Sequence, residues 1–320
     1  MLRASVVGVI GGVLCAGAAM GQDTGAAPER ATPTTGSAGR AEGGTRSTDV
    51  VVTLFGTHAF EADFSDGPGS VGVTRGGVEV GFRRPIDDRS RLSVSIGLEG
   101  SAYDFSGDST LAGVTGEVWD STVQASLAVV YSRQATEQWA WFFGGGVDAS
   151  FETDADIGKS FTGGLVGGVN YAVNENLKLG GGLAVRSRLE DSGLFLPIVS
   201  VDWKLSDQWT LSNSNELNST GVALSFAANE KLTLSLHAAY QGRAYRLDDE
   251  GPVPEGVGRD SRIPVWVQAR YAFTPRATAS LAAGVLAWQE YTVLDQDGNE
   301  LDQQEAEWTP FLGASVVVVF

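Results

Sequence analysis

The chain ends on the stretch Trp308-Thr-Pro-Phe-Leu-Gly-Ala-Ser-Val-Val-Val-Val-Phe320, and this stretch decides the fold. Every second residue counted back from Phe320 to Trp308 is apolar, whereas the alternate positions include Thr309, Gly313 and Ser315. Because successive side chains of a β-strand point to opposite sides, the pattern predicts a strand with one wholly apolar face. Its length suits the ~10-residue tilted strand that crosses a bilayer within a closed barrel.

This strand resembles the C-terminal strand of bacterial outer-membrane β-barrel proteins, with its glycine, its alternating hydrophobic residues and its terminal phenylalanine. The resemblance implies that Gly313, Val316, Val318 and Phe320 form the signal that the barrel assembly machinery recognises. The alternative is an ordinary sandwich strand that happens to end the chain, so the rest of the sequence has to decide.

The first residues have the pattern of an export signal. Arg3 precedes an apolar run over residues 4–19, and small residues at Ala19 and Gly21 flank Met20, as a signal peptidase requires. We therefore expect a cleaved signal peptide over residues 1–21, which removes the single cysteine, Cys15. Residues 22–48 are mostly Ala, Thr, Pro, Gly, Ser and Arg, which predicts a disordered periplasmic linker because so little apolar surface can be buried.

The composition excludes one class of function. A formal net charge of -17 leaves no basic surface for phosphates, so nucleic-acid binding is not expected. Many of the acids lie between the predicted strands, as in Asp248-Asp-Glu250 and over residues 295–302. Such acids predict either a negative outer rim that attracts cations or simply a solvated surface.

From Asp49 onward, short polar turns alternate with mostly longer, acidic, glycine-rich connections. Each short junction consists of an aromatic residue, a few polar turn residues and the start of another strand. A membrane barrel has this asymmetry because one rim faces the periplasm and the other faces outside. The six short junctions lie at residues 82–92, 131–139, 171–177, 203–209, 226–232 and 271–277.

The pattern therefore predicts an all-β, transmembrane, antiparallel up-and-down barrel over residues 49–320. About fourteen strands fit, or twelve if the short ninth and tenth strands are one irregular excursion. Aromatic residues at the strand ends predict the two belts that mark bilayer interfaces. Two places fit poorly: Asn213 and Asn215 fall on the lipid face, and the two faces are hard to distinguish over residues 277–291.

Ionisable side chains are costly at membrane depth unless they line water or pair with one another. Those on the predicted inner face indicate either a hydrated channel or a closed interior filled by ion pairs, and fourteen strands favour an open lumen. The predicted pore-lining residues are Arg75, Glu79, Glu99, Asp148, Lys178, Arg186, Arg188, Asp202, His237, Arg243 and Arg270.

Catalysis has little support, because His58 and His237 are the only histidines and neither has an acid companion at a readable spacing. No catalytic residue, metal site or cofactor is predicted. We expect a bacterial outer-membrane, porin-like channel for passive diffusion of small hydrophilic solutes or cations. Its expected partners are outer-membrane lipid and the barrel assembly machinery. The alternative is a closed, non-enzymatic structural or adhesive barrel with acidic surface loops.

Overall fold

The structure, a computed structural model, describes residues 48–107, 111–114, 116–214 and 219–320, without the side chains of residues 191 and 192. The predicted signal peptide, and all of the predicted linker except its last residue, lie outside these ranges. In the part of the chain that is described, none of the helices has the length and apolar character needed to span a bilayer.

Antiparallel strands account for most of the described chain, and two short 3₁₀ turns, Leu111–Gly113 and Ile157–Lys159, interrupt the loops. The strands in chain order are β1 (Asp49–Asp63), β2 (Ser70–Asp87), β3 (Ser90–Ser106), β4 (Ser121–Gln134), β5 (Trp139–Glu152), β6 (Phe161–Asn174), β7 (Leu177–Arg188), β8 (Asp191–Lys204), β9 (Trp209–Ser214), β10 (Thr220–Ala227), β11 (Leu232–Arg246), β12 (Val257–Thr274), β13 (Ala277–Leu294), β14 (Glu300–Ala306) and β15 (Thr309–Val319).

The strands close into a barrel with fourteen positions. Each strand from β1 to β13 pairs with the next, and β15 pairs with both β13 and β1. β14 and β15 lie end to end along β13, so together they occupy one position. The short β9 and β10 are two separate strands, which confirms the predicted count of fourteen rather than twelve.

The C-terminal strand completes the wall as its pattern predicts. Val319 lies opposite Val51 and Phe311 lies opposite Ala59 on β1. Ser315, on the alternate face, is buried, whereas Val316 is 44% exposed and Phe320 is 66% exposed. The apolar face of β15 therefore points outward.

An exposed apolar outer surface distinguishes this barrel from a soluble sandwich, which would bury such a face. Val199 and Leu281, for example, are 76% and 70% exposed. Aromatic side chains are exposed at both rims, and two belts of this kind are typical of bilayer interfaces. They are Phe82, Trp139, Trp203, Trp209 and Tyr271 at the rim with short turns, and Phe60, Phe161, Phe195 and Trp308 at the rim with longer loops.

A β-bulge in β13 explains why the sequence faces could not be told apart there. Leu286 pairs with Pro264 and Trp288 pairs with Ile263, so Ala287 is an extra residue on β13. One extra residue exchanges the two faces of a strand. Leu286 and Gln289 are consequently both buried on the inner side, although they are three residues apart.

Near the long-loop rim, β11, β12 and β13 leave the wall and fold into the barrel. Residues 241–246, 257–262 and 289–294 are buried on both faces, except for the half-buried Arg259. We call these three segments the inner sheet. Arg246 at its edge forms a parallel bridge with Phe151 of β5, which is six positions away around the barrel. The inner sheet therefore lies across the mouth of the barrel.

An apolar cluster holds the inner sheet against β2 and β3. Trp119, from the loop between β3 and β4, is 1% exposed and meets the rings of Tyr103, Phe105 and Tyr245. Burying one such large side chain contributes roughly 1.5–3 kcal/mol. The cluster, here the aromatic cap, consists of Ala62, Phe64, Val71, Val73, Tyr103, Phe105, Leu111, Val118, Trp119, Tyr245, Leu247, Val253, Tyr291, Val293 and Ala306.

Asn213 continues the ladder at the place where β9 separates from β8. Among the described residues, the backbone of β9 pairs with β8 only at Asp202, Trp203 and Lys204. Beyond them the Asn213 side chain accepts a hydrogen bond from the Val201 N–H at 2.6 Å and donates to the Val199 carbonyl at 3.1 Å. This substitution of side chain for backbone explains a polar residue at that position. Asn215 lies outside the described residues.

Candidate functional site: the lumen and its closing layer

The predicted lining residues occupy two levels of the lumen that differ in exposure. Toward the short-turn rim, Glu79 is exposed, and the side chains of Lys178 and Asp202 are 59% and 36% exposed, with their N and O atoms 3.9 Å apart. Toward the long-loop rim the side chains are packed. The predicted residues that are buried there are Arg75, Glu99, Asp148, Arg186, His237 and Arg243; Arg188 is half-buried, as is Arg270, which lies near the short-turn rim instead.

An ion pair spans the packed level. Arg243 of β11 donates from Nε to Glu99 Oε1 at 2.6 Å and from Nη2 to Glu99 Oε2 at 3.0 Å. Glu99 lies on β3, six positions away around the barrel, so this bidentate pair crosses the lumen. Both side chains are almost fully buried, which strengthens the attraction and raises the cost of losing either partner.

Asp260 of β12 is the centre of a second cross-lumen group. Its carboxylate accepts from Arg262 Nε at 3.0 Å, from the Tyr103 hydroxyl at 2.8 Å, and from Arg75 Nη2. Tyr245 in turn contacts the Tyr103 hydroxyl. The layer that closes the lumen, here the closing layer, consists of Arg75, Glu99, Tyr103, Arg243, Tyr245, Asp260 and Arg262.

Four members of this layer, Tyr103, Tyr245, Asp260 and Arg262, were not among the predicted pore-lining residues. Asp260 fell in a predicted loop over residues 247–261 and Arg262 directly follows that loop, but β12 begins at Val257 and includes both. The available signal was the period of two, since residues 260, 262 and 270 share the inner face of β12 with Trp266 and Gln268. That period does not show by itself that the segment turns into the mouth.

The formal charge on the inner face of the barrel is opposite in sign to the net charge of the whole chain. Between the rims, the inward positions defined by the strand registers carry more cations than acids, whereas the whole chain has a net charge of -17. The cationic side chains are Arg75, Arg83, Lys178, Arg186, Lys204, Arg243, Arg262 and Arg270, and the acidic ones are Glu79, Glu99, Asp148, Glu152, Asp202 and Asp260.

The opposite wall presents an apolar strip to the lumen. Val130, Phe142, Val166 and Ala184, on β4 to β7, form one buried cluster, and Leu196 and Ile198 of β8 pack against it. Gly168 makes room for the ring, because a Cβ there would lie 2.7 Å from Cζ of Phe142. The glycines on this wall therefore accommodate an aromatic side chain.

His237 has a packed, satisfied environment. Its Nδ1 lies 2.8 Å from Ser214 Oγ and its Nε2 lies 2.7 Å from Ser235 Oγ. The ring is stacked on Trp266, with the centroids 4.5 Å apart and the planes 8° apart. Both ring nitrogens are thus engaged by serine hydroxyls, which is typical of a buried structural histidine.

At the long-loop rim, several loops hold the far side of the inner sheet. Arg246 donates to the Lys159 carbonyl at 3.1 Å and to the Glu255 carbonyl at 2.6 Å, and its Nη2 meets the Glu190 carboxylate. The Lys159 ammonium lies 2.6 Å from the Glu255 carboxylate, and this hydrogen bond raises the pKa of Lys159. Loops from three parts of the chain are thereby tied to the closed mouth.

Several solved outer-membrane barrels resemble this chain in overall structure. The COG4313 outer membrane channel from Pseudomonas putida F1 is 13% identical, with 88% of this chain and 100% of that chain covered and a TM-score of 0.44. The toluene transporter TodX from P. putida is 10% identical, with coverages of 87% and 91% and a TM-score of 0.46. A FadL homologue from Pseudomonas aeruginosa is 11% identical, with coverages of 86% and 90% and a TM-score of 0.44.

No curated protein matches the sequence at a significant level. A family model does match it, over residues 62–318, and its description is "Domain of unknown function (DUF6268)". Because this match spans most of the barrel, the chain belongs to the DUF6268 family.

Proposed function

We propose that this protein is an outer-membrane channel for passive diffusion of small hydrophilic solutes, and that the structure describes its closed conformation. The supporting observation is the way in which the lumen is closed. Its short-turn half exposes ionisable side chains, and its other half is crossed by ion pairs such as Arg243 with Glu99. The short-turn rim is the periplasmic side in this proposal.

A polar closing layer suits a channel because its groups can be solvated again when they separate. Replacing a buried ion pair by apolar residues is often neutral or stabilising, so ion pairs are a poor way to fill a permanently closed barrel. Ion pairs that break into a hydrated lumen recover much of their lost solvation. The layer therefore fits a gate better than a permanent core.

The sign of the inner face supports a preference for anions. Acidic loops at the outer rim would attract cations, but ion selectivity is set where the pathway is narrow. There the closing layer has three arginines, Arg75, Arg243 and Arg262, beside two carboxylates, Glu99 and Asp260. We therefore expect anions to carry more of the current than cations.

Single-channel recording in planar bilayers tests the proposal. The refolded wild-type chain should be closed most of the time, and Glu99→Gln should raise the open probability because it weakens the pair with Arg243. A salt gradient should give a reversal potential of the sign for anions. Glu79→Gln is the matched control, since Glu79 is an inward carboxyl in the open half and its loss should leave gating unchanged.

The aromatic cap favours a second candidate, a closed structural or adhesive barrel with acidic surface loops. Its fifteen residues are buried side by side like the core of a soluble domain. If folded and inserted wild type and Glu99→Gln are both silent in the bilayer, the channel proposal fails and the closed barrel remains.

A further inference from the structure

We propose that the closing layer is a binding site for a small anion, with Arg75 as its principal donor. The role of this site in transport rests on the proposed channel function, whereas anion binding itself rests on the hydrogen bonds and burial of these side chains. Its ligand class is a halide or a small carboxylate or oxyanion.

Arg75 has more donors than its neighbours can accept. Its Nη2 donates to Asp260 and, at 3.1 Å, to the Tyr103 hydroxyl. Its Nε and Nη1, which carry three of the five N–H donors of a guanidinium, are buried without a partner in the described part of the chain. The residue is 4% exposed, so bulk water does not satisfy them.

The acceptors near Arg75 are already shared. Oδ2 of Asp260 accepts from Arg75 and Arg262 and also from Tyr103. The Glu99 carboxylate already accepts hydrogen bonds from Nε and Nη2 of Arg243. The layer thus places three guanidinium groups beside two carboxylates, and a buried, uncompensated positive charge is costly unless an anion accompanies it.

A small cavity adjoins this layer on the lumen side. It has room for about one water-sized group, and the residues that line it include Gln241, Arg262 and Thr57 of β1, which pairs with Arg75 of β2. Trp266 forms part of its floor. The size fits a halide, or one oxygen end of a carboxylate or oxyanion.

Arg186 shows the same imbalance on the other wall. Its Nη2 donates to Asp148 at 2.8 Å and to Thr162 at 3.2 Å, and its Nε and Nη1 are buried without a partner among the described residues. Two inward arginines with free donors indicate that the lumen provides more than one place for an anion. Arg75 is the better candidate because Arg262, which shares the Asp260 carboxylate with it, lines a small cavity.

The test uses bromide as the probe, on the refolded mature chain in detergent and in crystals. Sodium bromide should raise the melting temperature saturably relative to sodium gluconate at equal ionic strength, and anomalous scattering should place bromide within hydrogen-bond distance of Arg75 Nε or Nη1. Arg75→Lys keeps the charge beside Asp260 but removes those donors, so the apparent affinity for bromide should fall at least tenfold. Arg83→Lys, the same change lower in the lumen, should leave it unaltered.

Several outcomes would overturn the proposal: the same melting temperature in both salts, an undiminished bromide effect in Arg75→Lys, or bromide located elsewhere. If Arg75→Lys fails to fold, the position of bromide in wild-type crystals decides. Bromide binding without conductance would leave the anion site standing and remove the channel, whereas conductance without bromide binding would do the reverse.

Discussion

The ion pair between Glu99 and Arg243 allows a quantitative test of the closing layer. Glu99→Leu leaves Arg243 buried without its carboxylate, and Arg243→Met leaves Glu99 without its cation. Because both partners are at most 5% exposed and joined by two short hydrogen bonds, each single change should lower the free energy of unfolding by about 3–5 kcal/mol. The double change removes both charges and should cost no more than about 1 kcal/mol.

The assay is urea unfolding of the refolded chain in lipid vesicles, followed by tryptophan fluorescence, with the four proteins of a double-mutant cycle. The expected coupling free energy is at least about 5 kcal/mol, above the range of about 0.5–3 kcal/mol that contacting pairs usually show. The Glu79→Leu variant is the control, because its carboxyl lies in the exposed half of the lumen and its loss should cost less than about 1 kcal/mol. If the losses in unfolding free energy of the two single variants simply add in the double variant, the interaction of Glu99 with Arg243 across the lumen is refuted. The closure of the mouth by this pair would then be refuted as well.

Other predictions concern the cap, the wall and assembly. Trp119→Ala should cost about 3–5 kcal/mol in the same unfolding assay, because it leaves a cavity in the aromatic cap, whereas the exposed Trp308→Ala should cost less; equal losses would contradict the cap. Gly168→Ala should lower the melting temperature, since its Cβ would lie 2.6 Å from the Gly181 carbonyl oxygen. An unchanged melting temperature would show that the neighbouring strand moves to make room for the methyl group. Asn213→Val should cost about 1–3 kcal/mol and speed hydrogen exchange at Val201, unless water replaces the lost bonds. Phe320→Ala should slow insertion by the barrel assembly machinery without changing the stability of the folded barrel, and unaltered insertion kinetics would remove Phe320 from the assembly signal.

Local patterns in the sequence were sufficient for the wall. The alternation of apolar and polar residues and the aromatic residues at strand ends are properties of single strands, so the strand count and the outward face of β15 follow from them. The predicted assembly signal, export signal and periplasmic linker stay predictions.

The interior was harder to predict, because its contacts join strands far apart in the chain. Glu99 and Arg243 were recognised as inward residues, but nothing near either one shows that they meet across the lumen. Asp260 was placed in a loop, since the segment over residues 247–261 is rich in charge and glycine, as loops usually are, and Arg262 directly after it was not singled out. The preference for cations expected from the loop acids stays a prediction, and the reversal potential decides between it and the anion preference proposed from the inward arginines.

The sequence by itself determined the class of this protein: an antiparallel barrel with an apolar outer surface, because that surface depends only on the two-residue period of each strand. Only the tertiary structure decided that the mouth is closed, because the strands that lead into the inner sheet have the same sequence pattern as the other strands of the wall. The bulge at Ala287 exchanges the faces of β13, and the inward path of the inner sheet places Asp260 of β12 against Arg75 of β2. The two-residue period shows on which face of its strand a residue lies, whereas the path of the whole sheet decides which groups lie next to that face.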